Sequence, residues 1–304
     1  MIDRLTVIGS GLMGHGIALK FAQHDCVATV YDPNGSSLDN LFERIEISLM
    51  QMNVSKSNIK KCLSLIRKSN NLKQSLENCE LVIEAAPEKL ELKQDIFKEI
   101  EKLSSDKCIF ASNTSVIPIS KIVNKMRDKS RALGTHWWNP PHLIPLVEVI
   151  RTQWTNESAI SKVINILNEI GKTPVRVEKD VPGFIGNRLQ HALWREAISL
   201  VENGVCDAQS IDIVVKSSFG RRLSVLGPME NADLVGTGLT LDIHENVFYD
   251  LENSKYPSNL LKKLVKGGKL GMKSGEGFQK WNPQDLNKIK LKISKHLKEL
   301  EKII

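Results

Sequence analysis

The 304-residue chain is predicted to be an α/β protein, with a doubly wound, mostly parallel sheet over residues 1–182 and an all-helical domain over 183–304. Three observations predict it. Short apolar runs alternate with segments of helical periodicity as far as residue 178, the pattern of βα units joined by right-handed crossovers. The first run leads directly into a glycine-rich turn, VIGSGLMGHG. Beyond Val181, Pro182 and Gly183 only helical patterns follow.

In chain order, residues 5–8 read as the first strand and 12–24 as the helix after the glycines. Residues 27–31 form a second strand ending at Asp32, where Pro33, Asn34 and Gly35 turn the chain. Two polar helices, 37–52 and 57–68, precede a strand at 81–85. Helix 89–103, strand 108–111, helix 118–126 and strand 131–134 continue the alternation, which strand 146–150, helix 157–170 and strand 175–178 complete. Such strands belong to a sheet covered on both faces. Residues 184–201, 207–218, the stretch around 239–251 and 258–265 read as the helices of the second domain.

Composition excludes several classes. Hydrophobic residues at 41% and charged residues at 25% rule out disorder and collagen-like repeats. The formal charge of +7 is concentrated at one end. From Lys255 onward 13 Lys face four acids, a net of +9, so the first 254 residues carry −2. Five scattered cysteines without a CxxC pair suggest neither a disulfide framework nor a zinc site, and a reducing cytoplasm is expected. No run approaches the roughly 18–20 apolar residues of a membrane span, and the N-terminus enters a strand pattern rather than a signal peptide. No nucleic-acid-binding motif is present, so neither nucleic acid nor a membrane is an expected partner.

The turn places Gly9, Gly11 and Gly14 as GxGxxG between strand and helix. Glycine permits the tight turn at the first position, close backbone approach to a pyrophosphate at the second and helix–strand packing at the third. Together with Ser10, Leu12 and Met13 these residues are the expected dinucleotide contact, set at a helix N-terminus with its positive dipole end. Asp32 lies 18 residues past Gly14, at the end of the second strand. A carboxylate there accepts from a ribose 2′-OH and repels a 2′-phosphate, and no basic residue follows it directly, so NAD is expected rather than NADP. Taken alone, Asp32 caps the turn at Pro33.

In GTHWWNPPHLIPLVEV, His136 follows a predicted strand end, and Glu148 lies twelve residues later on the returning strand. A histidine oriented by a carboxylate beside a cofactor site suits a general base. His142 has no such partner in the sequence, and Trp137 and Trp138 read as packing or a pocket wall.

The segments VIGSGLMG, ASNTS, THWWNPPHLIPLVEV, DVPGFIGNRL and GMKSGEGF, in this order, resemble the L-3-hydroxyacyl-CoA dehydrogenase family over residues 1–281. The resemblance implies an N-terminal NAD-binding Rossmann domain, a helical C-terminal domain that forms a homodimer, and a small-molecule hydroxyacyl substrate. The family's catalytic residues fall on His136, Glu148, Ser115 and Asn187, and further NAD contacts on Glu88, Lys93, Ser115 and Lys273. Read alone, Ser115 is a cap or turn residue and Asn187 an interdomain hydrogen bond. The implied reaction is hydride transfer between NAD and the 3-hydroxyl carbon of a hydroxyacyl-CoA, with a place in fatty acid metabolism. A small non-CoA hydroxy acid or alcohol of gulonate, carnitine or pyridine-carboxylate type is the alternative, and a catalytically idle NAD-binding protein a remote one. The serine that meets CoA in the family corresponds to Ser48, but only Lys56 stands where several lysines would follow, with Lys60 and Lys61 on the next helix. Trp137 and Trp138 replace the paired phenylalanines usual in fatty-acyl members. Beyond residue 281, Leu286, Ile289, Ile293, Leu297, Leu300 and Ile304 form an apolar stripe flanked by lysines, expected to pack against the protein, with a membrane-surface helix the lesser reading.

Overall fold

The computed structural model describes residues 2–300, which divide into two compact units, Met1–Arg188 and the chain from Leu189 onward. The first unit holds eight strands: β1 Arg4–Ile8, β2 Val27–Tyr31, β3 Ile66–Ser69, β4 Leu81–Glu84, β5 Ile109–Ser112, β6 Ala132–Trp137, β7 Leu146–Ile150 and β8 Thr173–Val177. Their order is β3-β2-β1-β4-β5-β6-β7-β8, parallel throughout except where β7 returns antiparallel to β6. Connections run one way from β1 through β2 to β3 and the other way from β4, so the order reverses between β1 and β4. Ligands of open α/β sheets gather at such a reversal, beyond the carboxyl ends of the strands.

Alternation along each strand feeds two cores. Val7, Ile83 and Val147 face one side, packed with Ile17 and Phe21 of helix α1 (Gly14–Ala22), Leu41 and Ile45 of α2 (Leu41–Gln51), Ile59 of α3 (Lys56–Ser64) and Ile160 of α7 (Glu157–Glu169). Their neighbours Ile8 and Val82 face the other, with Phe97 and Ile100 of α5 (Leu90–Leu103) and Ile119 and Ile122 of α6 (Ile119–Ile122). A one-residue slip in register would exchange these faces and set each side chain against the wrong helices, so packing of both cores fixes the register.

Several boundaries differ from those read in the sequence. The predicted helix 57–68 stops at Ser64, and Ile66–Ser69 adds an edge strand to β2. An edge strand of sequence IRKS has one apolar side chain and no alternation, so it carries no periodic signal. A further single-turn helix, α4 (Leu72–Ser75), precedes β4, and the predicted helix 118–126 is α6 followed by a 3₁₀ turn, Val123–Lys125. Strand β6 runs three residues further than expected, so His136 sits within it rather than after it.

The second unit is helical: α8 (Gly186–Glu202, whose first turn belongs to the first unit), α9 (Ala208–Ser217), α10 (Pro228–Val235), α11 (Thr237–Val247), α12 (Asn259–Lys266) and α13 (Pro283–Leu300). Only isolated bridges, Gly271 to Glu276 and Glu276 to Lys280, interrupt the helices among its described residues. Helix α10 has no counterpart in the sequence reading; it starts where the Glu230 carboxylate accepts the Gly227 N–H at 2.7 Å, with Pro228 at its first position. Along α13, Leu286, Ile289, Leu297 and Leu300 are half-buried, Ile293 is 49% exposed, and Ile304 lies outside the described residues. No described helix is long and apolar enough to cross a membrane.

Candidate active site

Gly9 leaves β1 at φ +101, where a Cβ would come within 2.7 Å of the Ala85 carbonyl oxygen at the end of β4. A Cβ on Gly14 would lie 1.8 Å from the Gly9 carbonyl oxygen, so α1 can seat on the turn only as glycine. Gly11 differs: a Cβ there would meet nothing within 4 Å. Its missing side chain therefore serves an approach from outside the protein. Leu12 points to solvent, and the N–H groups of Leu12 and Met13 have no partner among the described residues. Open space over Gly11 and free N–H groups at a helix start fit a pyrophosphate, the group NAD would place there.

Asp32 fixes this turn. Its Oδ2 accepts the Ser10 N–H at 3.0 Å and the Ser10 Oγ–H at 2.8 Å, while Oδ1 accepts the Asn34 N–H at 3.1 Å. A carboxylate offers about four acceptor positions, so capping the turn leaves capacity for a ribose hydroxyl.

Beside the turn, the end of β4 carries a buried charge pair absent from the sequence reading. Lys93 Nζ donates to Glu84 Oε1 at 2.7 Å and to the Ala86 carbonyl at 3.1 Å, and lies 3.3 Å from Glu88 Oε2. Lys93 is 1% exposed and Glu84 0%, and the second Glu84 oxygen accepts Ser112 Oγ–H at 2.6 Å. Two ammonium protons are thus engaged, and the Glu88 carboxylate lies in ion-pair range of the same nitrogen. Glu88 Oε1 accepts Thr114 Oγ–H at 2.5 Å and the N–H groups of Ser115 and Val116 at 3.0 and 3.2 Å. Burial pushes the Glu88 carboxyl up, but the Thr114 bond, the Lys93 charge and the two N–H groups outweigh it and hold it below its ordinary value.

His136 and Glu148 stand directly opposite each other in the antiparallel β6–β7 pair. His136 Nδ1 lies 2.7 Å from Glu148 Oε2, with His136 4% and Glu148 1% exposed. Glu148 Oε1 accepts the N–H groups of Ile185 and Gly186 at 2.8 and 3.0 Å. Burial raises the Glu148 carboxyl; the His136 bond and these two N–H groups more than offset it, keeping it ionised. Two rings enclose the imidazole, Trp138 at 5.3 Å and Phe184 at 5.6 Å between centroids. With Nδ1 donating to the carboxylate, Nε2 is the basic nitrogen, and it has no hydrogen-bond partner among the described residues. Asn187 Nδ2–H donates to the Ser115 carbonyl at 2.8 Å, bringing two more of the expected residues together. Lys273 belongs to the second unit, in the 3₁₀ turn Met272–Ser274.

Residues 4–181 match the family described as 3-hydroxyacyl-CoA dehydrogenase, NAD binding domain, and residues 183–281 match its C-terminal domain. The chain belongs to the 3-hydroxyacyl-CoA dehydrogenase family. It is an NAD-dependent dehydrogenase acting on a CH–OH group. Hydroxyacyl-coenzyme A dehydrogenase, mitochondrial, of Homo sapiens is 37% identical over 295 residues, covering 92% of each chain. The 5-formyl-3-hydroxy-2-methylpyridine 4-carboxylate 5-dehydrogenase of Mesorhizobium japonicum is 30% identical over 305 residues, covering 100% of this chain and 99% of its own. A solved structure of a dehydrogenase for that pyridine acid, described as an NAD+ dependent dismutase, superposes with a TM-score of 0.92 over 100% of this chain and 98% of its own. For (S)-3-hydroxybutyryl-CoA dehydrogenase of Ralstonia eutropha, 28% identical, the TM-score is 0.77 over 93% of this chain and 100% of that one.

Within this dehydrogenase fold, Ser48 is 5% exposed, and its Oγ lies 3.3 Å from Nε2 of His15, whose Nδ1 lies 3.1 Å from the Gly11 carbonyl. The hydroxyl faces the protein interior. Sequence reading missed Glu84, Ser112, Asn113, Phe184 and Gly186 as builders of the site. Glu84 closing a buried apolar strand, LVIE, was a legible sign; Asn113, whose Oδ1 accepts the Trp137 N–H at 2.9 Å, looked like any turn residue.

Proposed function

We propose that this dehydrogenase transfers hydride between NAD and a compact hydroxy acid or carboxylate-bearing alcohol or aldehyde that carries no CoA. The observation that carries the dehydrogenase chemistry is the His136–Glu148 pair, with Nε2 as its free base. In the oxidative direction Nε2 takes the hydroxyl proton, while Glu148 holds the Nδ1 proton and stabilises the imidazolium. NAD, when bound, accepts the hydride. Gly9, Ser10, Gly11, Leu12, Met13 and Gly14 hold its phosphates and Asp32 its ribose; Glu88 and Lys273 add contacts, and Lys93 acts by fixing Glu88. Ser115 and Asn187 hydrogen-bond the reacting oxygen.

Ser48, the position that corresponds to the family's CoA-contacting serine, supports the reading without CoA, since it is buried with its hydroxyl 3.3 Å from His15 Nε2. The chain's full-length match to the pyridine-carboxylate dehydrogenase, including the segment past the family's C-terminal match at residue 281, supports the same reading. A hydroxyacyl-CoA substrate, with a role in fatty acid metabolism, is the second reading, favoured by the 37% identity to the human enzyme. A cytoplasmic homodimer formed through the helical unit accompanies either, since that unit exposes Leu234, Leu241 and Phe248 and a monomer rarely leaves so much apolar surface in water.

The test is NADH oxidation with acetoacetyl-CoA beside free 3-keto acids and an aromatic formyl carboxylate. Turnover confined to the free acids supports the proposal. A higher kcat/KM for acetoacetyl-CoA overturns it in favour of the second reading.

A further inference from the structure

We propose that Trp138 and Gly186 are a matched pair of positioning residues that sets the orientation of the His136 imidazole, an inference that rests on the His136–Glu148 reading above. A Cβ at Gly186 would fall 2.4 Å from Trp138 Cζ2, 3.2 Å from Cε2 and 3.3 Å from Cη2. The indole therefore occupies the volume of the missing side chain, and any larger residue must drive it away. The Trp138 Nε1–H is buried and has no acceptor among the described residues, so packing alone holds the ring. That same ring leans on His136 at 5.3 Å, tilted by 55°.

Gly186 meets the pair a second time through its backbone, because its N–H holds Glu148 Oε1 at 3.0 Å. Upstream, Gly183 at φ +75 and Phe184 at φ +50 form a left-handed turn, unusual for a bulky residue. The turn delivers the Phe184 ring to within 5.6 Å of His136, centroid to centroid, and the next two N–H groups to Glu148. A strained conformation kept beside a reacting group points to function. Glu148 anchors Nδ1 but leaves the imidazole free to swing about that bond; the rings of Trp138 and Phe184 remove that freedom and aim Nε2. Aim matters because proton transfer falls steeply with misplacement.

The experiment compares Gly186→Ala, Trp138→Phe and the double variant with the wild type by imidazole ¹⁵N NMR, with His136→Gln assigning the resonance. In the wild type His136 shows a single tautomer protonated at Nδ1. In Gly186→Ala Nδ1 stays protonated on Glu148, but the displaced indole lets the ring swing, so the Nε2 resonance is exchange-broadened, with kcat on the panel's best substrate down roughly tenfold or more and NADH Kd within about twofold. In the double variant the new Cβ fills space vacated by the indole, so the sharp Nε2 resonance and kcat recover, a non-additivity that a merely structural role would not produce. A sharp wild-type Nε2 resonance and wild-type kcat in Gly186→Ala, or a double variant no better than it, overturns the proposal. If Gly186→Ala does not fold, the comparison of Trp138→Phe with the double variant decides: Nε2 broadening relieved by the added Cβ supports it, and a Trp138→Phe spectrum identical to wild type overturns it. The NMR readout needs no substrate, so a failed substrate panel leaves this result separately readable.

Discussion

At the residue scale the site depends on which ionised form is kept buried. Glu148 is held below its ordinary 4.5, against burial, by His136 and two N–H groups. A carboxyl depressed in the folded state contributes its full stabilisation above about pH 4.5 and loses it as pH falls through the lower folded value. Glu148→Gln should therefore have a lower Tm than the wild type at neutral pH, with the gap closing on acidification below about pH 4.5; a gap constant across that range contradicts the assignment. Turnover of this variant should drop on the order of 10²-fold, since the imidazolium loses its counter-charge. The two partners were legible in the sequence because the carboxylate, twelve residues after the histidine, lies on the strand that returns beside it. Their enclosure was not: Phe184 and Gly186 come from a distant segment, and nothing local marks a glycine whose absent Cβ makes room for an indole.

Elements divide the glycine turn into two kinds of glycine. A Cβ at Gly14 collides with the Gly9 carbonyl, whereas one at Gly11 collides with nothing in the protein. Gly14→Ala should lower both Tm and NADH affinity. Gly11→Ala should leave stability within about 0.5 kcal/mol of wild type while NADH Kd rises more than roughly tenfold; thermal melts and an NADH titration check both, and equal losses of stability would contradict the distinction. Strand β4 makes a third prediction. Lys93→Met strands the Glu84 carboxylate in the core, so it should cost about 3–5 kcal/mol, and adding Glu84→Gln should recover part of that in chemical denaturation; a Lys93→Met variant of wild-type stability would contradict the burial argument. The strands and helices of the first unit were readable wherever both faces are buried, since continuous apolar runs such as LTVI and LVIE mark them. The edge strand Ile66–Ser69 was not, because its single apolar residue gives neither a continuous apolar run nor an alternation.

On the scale of the whole molecule the basic charge lies at the end of the helical unit and in the segment after it, a net of +6 over residues 255–281 and +3 over 282–304, and not in the first 254 residues. Helix α13 lies past the family's C-terminal match, and its stripe is only partly covered within the unit. Truncation after Trp281 should weaken the proposed homodimer, measured by light scattering against concentration, and lower Tm; an unchanged oligomeric state and Tm would assign the helix no packing role. The two-part organisation was visible in the sequence as the end of βα alternation near Pro182, whereas α10 stayed hidden because eight residues are too short a window to establish a helical period. What unites these scales is the proposed base, His136, carried by β6 of the sheet. His136→Gln, measured by NADH titration and by steady-state turnover of the panel's best substrate, tests it most directly. NADH binding should stay within about twofold of wild type while kcat falls roughly 10²-fold or more, and wild-type turnover in that variant would contradict the account.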